Sequence, residues 1–295
     1  MKLAFMGTPD FSVNAVKEIH KKFPINTIFT QPPRKSNRGL KTVTSSVHQI
    51  AKDLNIDVRH PNKLSEDYDF FLEKKFDLVI VAAYGQLIPE KFLKECLFIN
   101  IHASLLPKWR GAAPIQRSLM NRDKSTGISI MKIEKELDTG PVMLQQEIPI
   151  DIHLTHGELE KKLSIIGSDL VVEAIEKIQS NNFEFNAQDH EKASYAKKIT
   201  KEDEEINWND IAENVTAKIH ALSPAPGSFF NHKNIKLKIF KCDISNEFVG
   251  KPGEISLDKK SLLISCKDKS IRVLEIQKPG KKRQKIEEFL RGHTF

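Results

Sequence analysis

Asp77-Leu78-Val79-Ile80-Val81-Ala82-Ala83, an amphipathic piece over residues 89–95, and then Leu97-Phe98-Ile99-Asn100-Ile101-His102 decide the class of this 295-residue chain. Both apolar runs are too short for helices and rich in Val and Ile, so each reads as a buried strand. Working outward, residues 2–6 and 26–30 read as two more strands, with amphipathic segments over 10–22, 46–54 and 66–75 between them. That alternation predicts an α/β fold in which helices cover a Rossmann-like parallel sheet. Residues 126–133 and 142–150 look like further strands. Residues 155–179 read as a long helix with Leu159, Leu163, Ile166, Leu170, Val171, Ala174 and Ile178 on one face.

A polar tract rich in Asn, Lys and Glu follows over 180–205, which places an N-terminal domain at 1–188 and a linker at 189–205. Beyond it come a helical pattern over 210–222, the breaker Ser223-Pro224-Ala225-Pro226-Gly227, and short strands near 235–241, 253–257, 261–265 and 271–277. Several short strands with turn residues between them predict a smaller C-terminal β-barrel of the OB-like kind over 206–295.

Charge divides unevenly between these parts. Residues 1–205 hold 29 Lys and Arg against 29 Asp and Glu, whereas 206–295 hold 17 against 10, so the whole net charge of +7 belongs to the second part. A basic domain of this kind suits an anionic partner, or simply presents a solvated cationic surface. No stretch approaches the roughly 18 consecutive apolar residues of a membrane span, and the N-terminus turns at once into Gly7-Thr8-Pro9, so no signal peptide is expected and the cytoplasm is the expected location. The three cysteines form no CxxC and the ten histidines no HExxH, so neither a disulfide nor a metal is expected.

Residues two apart on a strand share a face, so Asn100 and His102 project together at the carboxyl end of their strand, where open α/β sheets place a ligand crevice. An amide can hold a developing oxyanion while an imidazole moves a proton, a pairing suited to acyl transfer. Taken alone, the two residues read more readily as a strand end and a satisfied core imidazole, and it is the following run that shifts the reading. The run that follows, Ser104-Leu105-Leu106-Pro107-Lys108-Trp109-Arg110-Gly111-Ala112-Ala113-Pro114-Ile115-Gln116, has neither a helical nor a strand period and reads as a structured active-site loop. Met6-Gly7-Thr8-Pro9-Asp10-Phe11 reads as a strand-to-helix turn with Thr8 as N-cap and Pro9 at the first helical position. Its single glycine points away from a dinucleotide site.

The N-terminal half of the Ser104–Gln116 run resembles the folate-dependent formyltransferases, and its full form resembles those that act on a charged tRNA. The same resemblance extends to Met6–Phe11, to Ala83-Tyr84-Gly85-Gln86-Leu87-Ile88-Pro89 and to Leu137-Asp138-Thr139-Gly140, with weaker echoes through Ile206-Asn207-Trp208 and Lys278-Pro279-Gly280-Lys281-Lys282. It implies 10-formyltetrahydrofolate as co-substrate, methionyl initiator tRNA as partner, no metal, and a cytoplasmic monomer. It also implies a catalytic set of Asn100, His102 and Asp138, the last fixing the His102 ring. Tyr84, Gly85, Gln86, Leu87 and Ile88, with Ser104, Leu105, Leu106 and Pro107, are the folate-binding residues it implies. For tRNA it points to the acid-free loop bearing Arg34, Lys35, Arg38 and Lys41, and to Lys281, Lys282 and Arg283. The chain departs from the family pattern at Pro33, at Leu40 and in Ser223–Gly227, which bears on tRNA contact and not on the catalytic core.

Overall fold

The computed structural model describes residues 1–35, 42–247, 250–258 and 260–292, so the basic positions Arg38 and Lys41 lie outside the described residues. The chain separates into two compact units. One is built from Met1–Gly111, Gly127–Ile148 and Glu160–Tyr195, the other from Ala112–Thr126, Pro149–Leu159 and Ala196–Phe295.

Seven strands form the first sheet: β1 (Leu3–Gly7), β2 (Ile25–Phe29), β3 (Asp57–Arg59), β4 (Leu78–Ala82), β5 (Leu97–His102), β6 (Ser125–Lys132) and β7 (Val142–Pro149). They lie in the order β7-β6-β5-β4-β1-β2-β3. The pairs β1–β2, β1–β4, β2–β3 and β4–β5 are parallel. β5 pairs with β6 antiparallel, so the sheet is parallel through its centre and mixed at one side. Strand order reverses between β1 and β4, and crevices in open α/β sheets open outside the strand ends at such a reversal.

β1 and β4 are buried along their whole length, as expected for central strands covered on both faces. One face is filled by aromatics: Phe71 meets Phe76, Phe92 and Phe98 at ring-centroid distances of 5.2, 5.0 and 5.9 Å. Among the connecting helices are α1 (Val13–Lys22), α2 (Ser46–Asp53), α3 (Tyr68–Lys74) and α4 (Glu90–Leu93). Ser45 caps α2, its side chain accepting from the amide of His48 at 3.0 Å.

Two local expectations change, and one strand is added. Thr8 caps no helix: a 3-10 turn at Asp10–Ser12 begins after Pro9 without a side-chain cap, and the Thr8 hydroxyl donates across to the Tyr84 carbonyl at 2.9 Å instead. The run read as loop through Gln116 already turns helical at α5 (Pro114–Met120), with Pro at the helix start where its missing N–H costs nothing. β3, a short edge strand, has too little apolar alternation to be read from sequence. The long helix α6 (His156–Gln179) is as expected.

The second unit contains α7 (Ala212–Ala221) and the strands β8 (Ser228–His232), β9 (Ile235–Ser245), β10 (Ile255–Leu257), β11 (Leu262–Ser265), β12 (Ser270–Gln277) and β13 (Gln284–Lys285). The sheet runs β8-β9-β12-β11-β10 with β13 on β12, all antiparallel, the curled sheet of the expected small barrel. Ile219, Ile239, Cys242, Leu262, Ile264, Ile271, Val273 and Ile276 form its core. A final short helix, α8 (Ile286–Gly292), buries Phe289 and was not legible because it spans under two turns. Arg117 and Asp203 pair at 2.8 Å, and this hydrogen-bonded guanidinium holds the Asp203 carboxyl down at about 2. No helix among the described residues is long and apolar enough to cross a membrane.

Candidate active site

β5 ends with Asn100 opposite Met131 and His102 opposite Ser129 of β6. The pleat puts both side chains on the same face. His102 is buried, whereas Asn100 is half-buried and its amide has no hydrogen-bond partner among the described residues. A buried polar group normally finds a partner, so a half-exposed amide left open beside a buried imidazole is available to a ligand.

His102 is held from both sides. Its Nε2 lies 3.0 Å from the Trp109 carbonyl. A carbonyl only accepts, so Nε2 is the protonated nitrogen in the neutral ring. Trp109 aims that carbonyl by adopting a left-handed backbone at φ 61°, while its own N–H donates to the Ser194 hydroxyl at 3.0 Å. On the other side, His102 Nδ1 lies 3.7 Å from Asp138 Oδ2. That is beyond direct hydrogen-bond range but close enough to stabilise a charged ring.

Asp138 reaches this position on the turn between β6 and β7. Its backbone is left-handed, φ 54°, and its Oδ2 accepts from the Gly111 amide at 2.8 Å. Gly140, two residues on, permits the turn: a Cβ there would fall 2.0 Å from the Lys132 carbonyl oxygen. The three residues expected to act together are thus gathered from β5 and from a turn that lies well beyond it in the chain.

The segment after β5 is pinned to the neighbouring strands. The Ser129 hydroxyl donates to the Ser104 carbonyl at 2.6 Å and accepts from the Leu106 amide at 3.1 Å. Gln145 donates to the Leu106 carbonyl at 2.9 Å, and Ser104 donates to the Lys108 carbonyl at 2.6 Å. Ser104 and Leu106 are buried in this scaffold, Leu105 is half-buried, and Pro107 follows a cis peptide bond.

At the strand reversal lies a cavity of about 610 Å³ lined by Thr8, Gln31, Arg34, Ser45, Tyr84 and Gly85 among others. Thr8 and Gln31 both donate to the Tyr84 carbonyl, at 2.9 and 3.3 Å. Tyr84 is buried, its hydroxyl has no hydrogen-bond partner among the described residues, and burial pushes its ionisation well up. Gly85 takes φ 84°, a conformation in which other residues are strained. Gln86 is committed to the scaffold, accepting from the Leu64 amide at 2.8 Å and donating to the Pro61 carbonyl at 3.3 Å. Leu87 is 83% exposed, a large apolar side chain left in solvent, and Ile88 packs on the aromatic core.

Arg34 and Lys35 pair with Thr42 and Val43 as the stem of a hairpin. Arg34 is exposed and leans on Gln31 at 3.5 Å. Lys281 and Lys282 are exposed, whereas Arg283 forms an ion pair with Glu275 and stacks 4.8 Å from the Phe240 ring centroid. Sequence reading assigned no role to Trp109, Ser129, Gln145 or Gln188, which carry the scaffold of the site. Their local surroundings hold no clue, because most of their partners lie far away in the chain.

A family model described as Formyl transferase matches residues 1–175, and a second, Formyl transferase, C-terminal domain, matches residues 198–294. A protein of Pelagibacter ubique (strain HTCC1062) named methionyl-tRNA formyltransferase is 47% identical over 99% of this chain and 95% of its own length. One of the same name from Carboxydothermus hydrogenoformans is 40% identical over 99% of this chain and 97% of its own. The crystal structure of WlaRD, a sugar 3N-formyl transferase in the presence of dTDP and 5-N-formyl-THF, superposes with a TM-score of 0.70 at 23% identity over 96% of this chain and 99% of that one, a likeness of fold.

Proposed function

The chain belongs to the formyl transferase family, and from that premise we propose that it moves the formyl group of 10-formyltetrahydrofolate onto the amino group of methionyl initiator tRNA, giving formylmethionyl-tRNA for translation initiation. The observation that carries the reading is Asn100 and His102 on one face at the carboxyl end of β5, with Asp138 against the imidazole. Residues 1–188 carry the chemistry, 189–205 connect, and the basic stretch 206–295 binds the tRNA. The protein works as a cytoplasmic monomer. The cavity at the strand reversal, lined by Thr8, Gln31, Ser45, Tyr84 and Gly85 among others, has the size and mixed polar and apolar walls that suit a flat ring system with polar edges. In this reading the main chain of Tyr84–Ile88 and Ser104–Pro107 holds the folate.

The methionyl amine attacks in its neutral form, which is accessible because α-amino groups titrate around pH 7.7–8.0. A bond forms between that nitrogen and the formyl carbon, and the bond from the carbon to the folate nitrogen breaks. The Asn100 amide donates to the formyl oxygen as it gains charge. One proton leaves the attacking nitrogen and ends on the departing one, with His102 as relay. Since Nε2 is committed to the Trp109 carbonyl, Nδ1 is the atom that exchanges this proton, and Asp138 stabilises the ring while it is charged.

Incubation with 10-formyltetrahydrofolate and either methionyl initiator tRNA or glycinamide ribonucleotide tests the reading. Formylation of the tRNA alone is expected. Formylation of the ribonucleotide alone would replace the acceptor.

Binding of the tRNA should weaken steeply with salt, because lysine and arginine side chains that neutralise phosphates release counterions. Alanine at Arg34, Lys281 and Lys282 together is expected to flatten the plot of log affinity against log salt by roughly 2, at about 0.7–0.9 for each phosphate no longer neutralised. Arg283 is left unchanged because Glu275 already neutralises it. Parallel plots for parent and variant would assign phosphate binding to other side chains.

A further inference from the structure

Arg110 is the largest side chain among those almost wholly enclosed, 1% exposed, and no carboxylate pairs with it among the described residues. Burying a guanidinium without a counter-ion is costly, so stability alone does not account for it. Its partners are the Gln188 Oε1, which accepts from Nε at 3.1 Å and from Nη2 at 2.8 Å, and the exposed His190, whose Nδ1 lies 3.4 Å from Nη1.

Gln188 is itself buried and uses its amide on both sides. Its Nε2 donates to the Asp138 carbonyl at 2.9 Å and to the Gly140 carbonyl at 2.6 Å. Arg110 can only donate, so it dictates that Oε1 faces inward, and the amide cannot flip without placing two donors against the guanidinium. The direction of Nε2 is thereby set, and with it the two carbonyls of the turn that carries Asp138. The loop closes through the next residue, since the Gly111 amide donates to Asp138 Oδ2 at 2.8 Å.

We infer that Arg110 and Gln188 are positioning residues for the transfer reaction, forming with Gly111 a closed ring of hydrogen bonds that holds the left-handed Asp138 at its distance from His102. This rests on the reading above in which Asp138 supports His102. Arg110 touches neither reacting group; its charge orients one amide, and that amide holds two carbonyls of the turn.

Gln188→Glu separates the two sides of the ring. A carboxylate still accepts from Arg110 and supplies its missing counter-ion, but it cannot donate to the Asp138 and Gly140 carbonyls. Steady-state kinetics of Gln188→Glu, Asp138→Ala and the double variant, each checked for folding by circular dichroism, test the inference. Gln188→Glu is expected to lower kcat about tenfold with KM for both substrates within about twofold, and to change kcat by less than about twofold in the Asp138→Ala background. Equal losses in both backgrounds would mean that Gln188 acts on the fold and not through Asp138, which overturns the inference. So would an unchanged kcat in Gln188→Glu while Asp138→Ala is impaired. Parental turnover in Asp138→Ala would instead overturn the catalytic reading of Asp138, and the inference with it. Should Gln188→Glu fail to fold, Arg110→Lys enters the same cycle, since it keeps the charge and loses the fork on Oε1.

Discussion

His102→Ala is expected to lower kcat for formylation of methionyl-tRNA by about 10²–10⁴-fold, and Asn100→Ala by about 10²–10³-fold, with the fold intact in both. The reasons differ. In the proposed mechanism His102 relays the proton, so its loss would leave the attacking nitrogen cationic and the departing one without a donor. Asn100 has an amide with no other partner among the described residues, so its removal costs the folded protein little while taking away the donor that the proposed mechanism assigns to the developing oxyanion. The imidazole occupies a buried position against the Trp109 carbonyl, so His102→Asn, which keeps a donor there, is the companion variant that separates packing from catalysis. Pre-steady-state rates with saturating folate and methionyl-tRNA separate chemistry from binding. Turnover within about threefold of the parent in either alanine variant would remove that residue from the mechanism.

Gly140→Ala is expected to lower both stability and turnover, by roughly 1–3 kcal/mol and about tenfold or more. Its Cβ would meet the Lys132 backbone oxygen at 2.0 Å and the Glu134 side chain at 3.2 Å, and the first of these is main chain that cannot swing aside. The turn between β6 and β7 must then open, although the Lys132 amide donates to the Pro141 carbonyl at 2.9 Å to close it. Opening carries Asp138 away from His102 and strips the Gly140 carbonyl from Gln188. Denaturant unfolding together with kcat measures both consequences. Parental values of each would show that the turn relaxes without displacing Asp138.

Much of the first unit is legible because its central strands are buried on both faces. Runs such as Leu78–Ala82 are almost purely apolar, and such runs with helical patterns between them have few alternative folds. Asn100 and His102 were legible as a pair for a local reason: the two-residue period of a strand puts them on one face whatever surrounds it. β3, β13 and α8 were not, since elements of a few residues carry too little periodicity to stand out. Thr8 illustrates a different limit. Its position before Pro9 favours a cap, but the nearby Tyr84 carbonyl offers a partner 76 residues away, and the hydroxyl goes there.

The sequence by itself determined the α/β class, the basic β-rich second part and the chemistry available at the end of β5, because these depend on composition and on periodicity over a few residues. Only the tertiary structure decided which nitrogen of His102 is committed, that Asp138 faces the other, and that Arg110 reaches the same turn through Gln188. The physical reason is that hydrogen-bond partners at a site are chosen by distance and direction between strands far apart in the chain, and no local pattern encodes either.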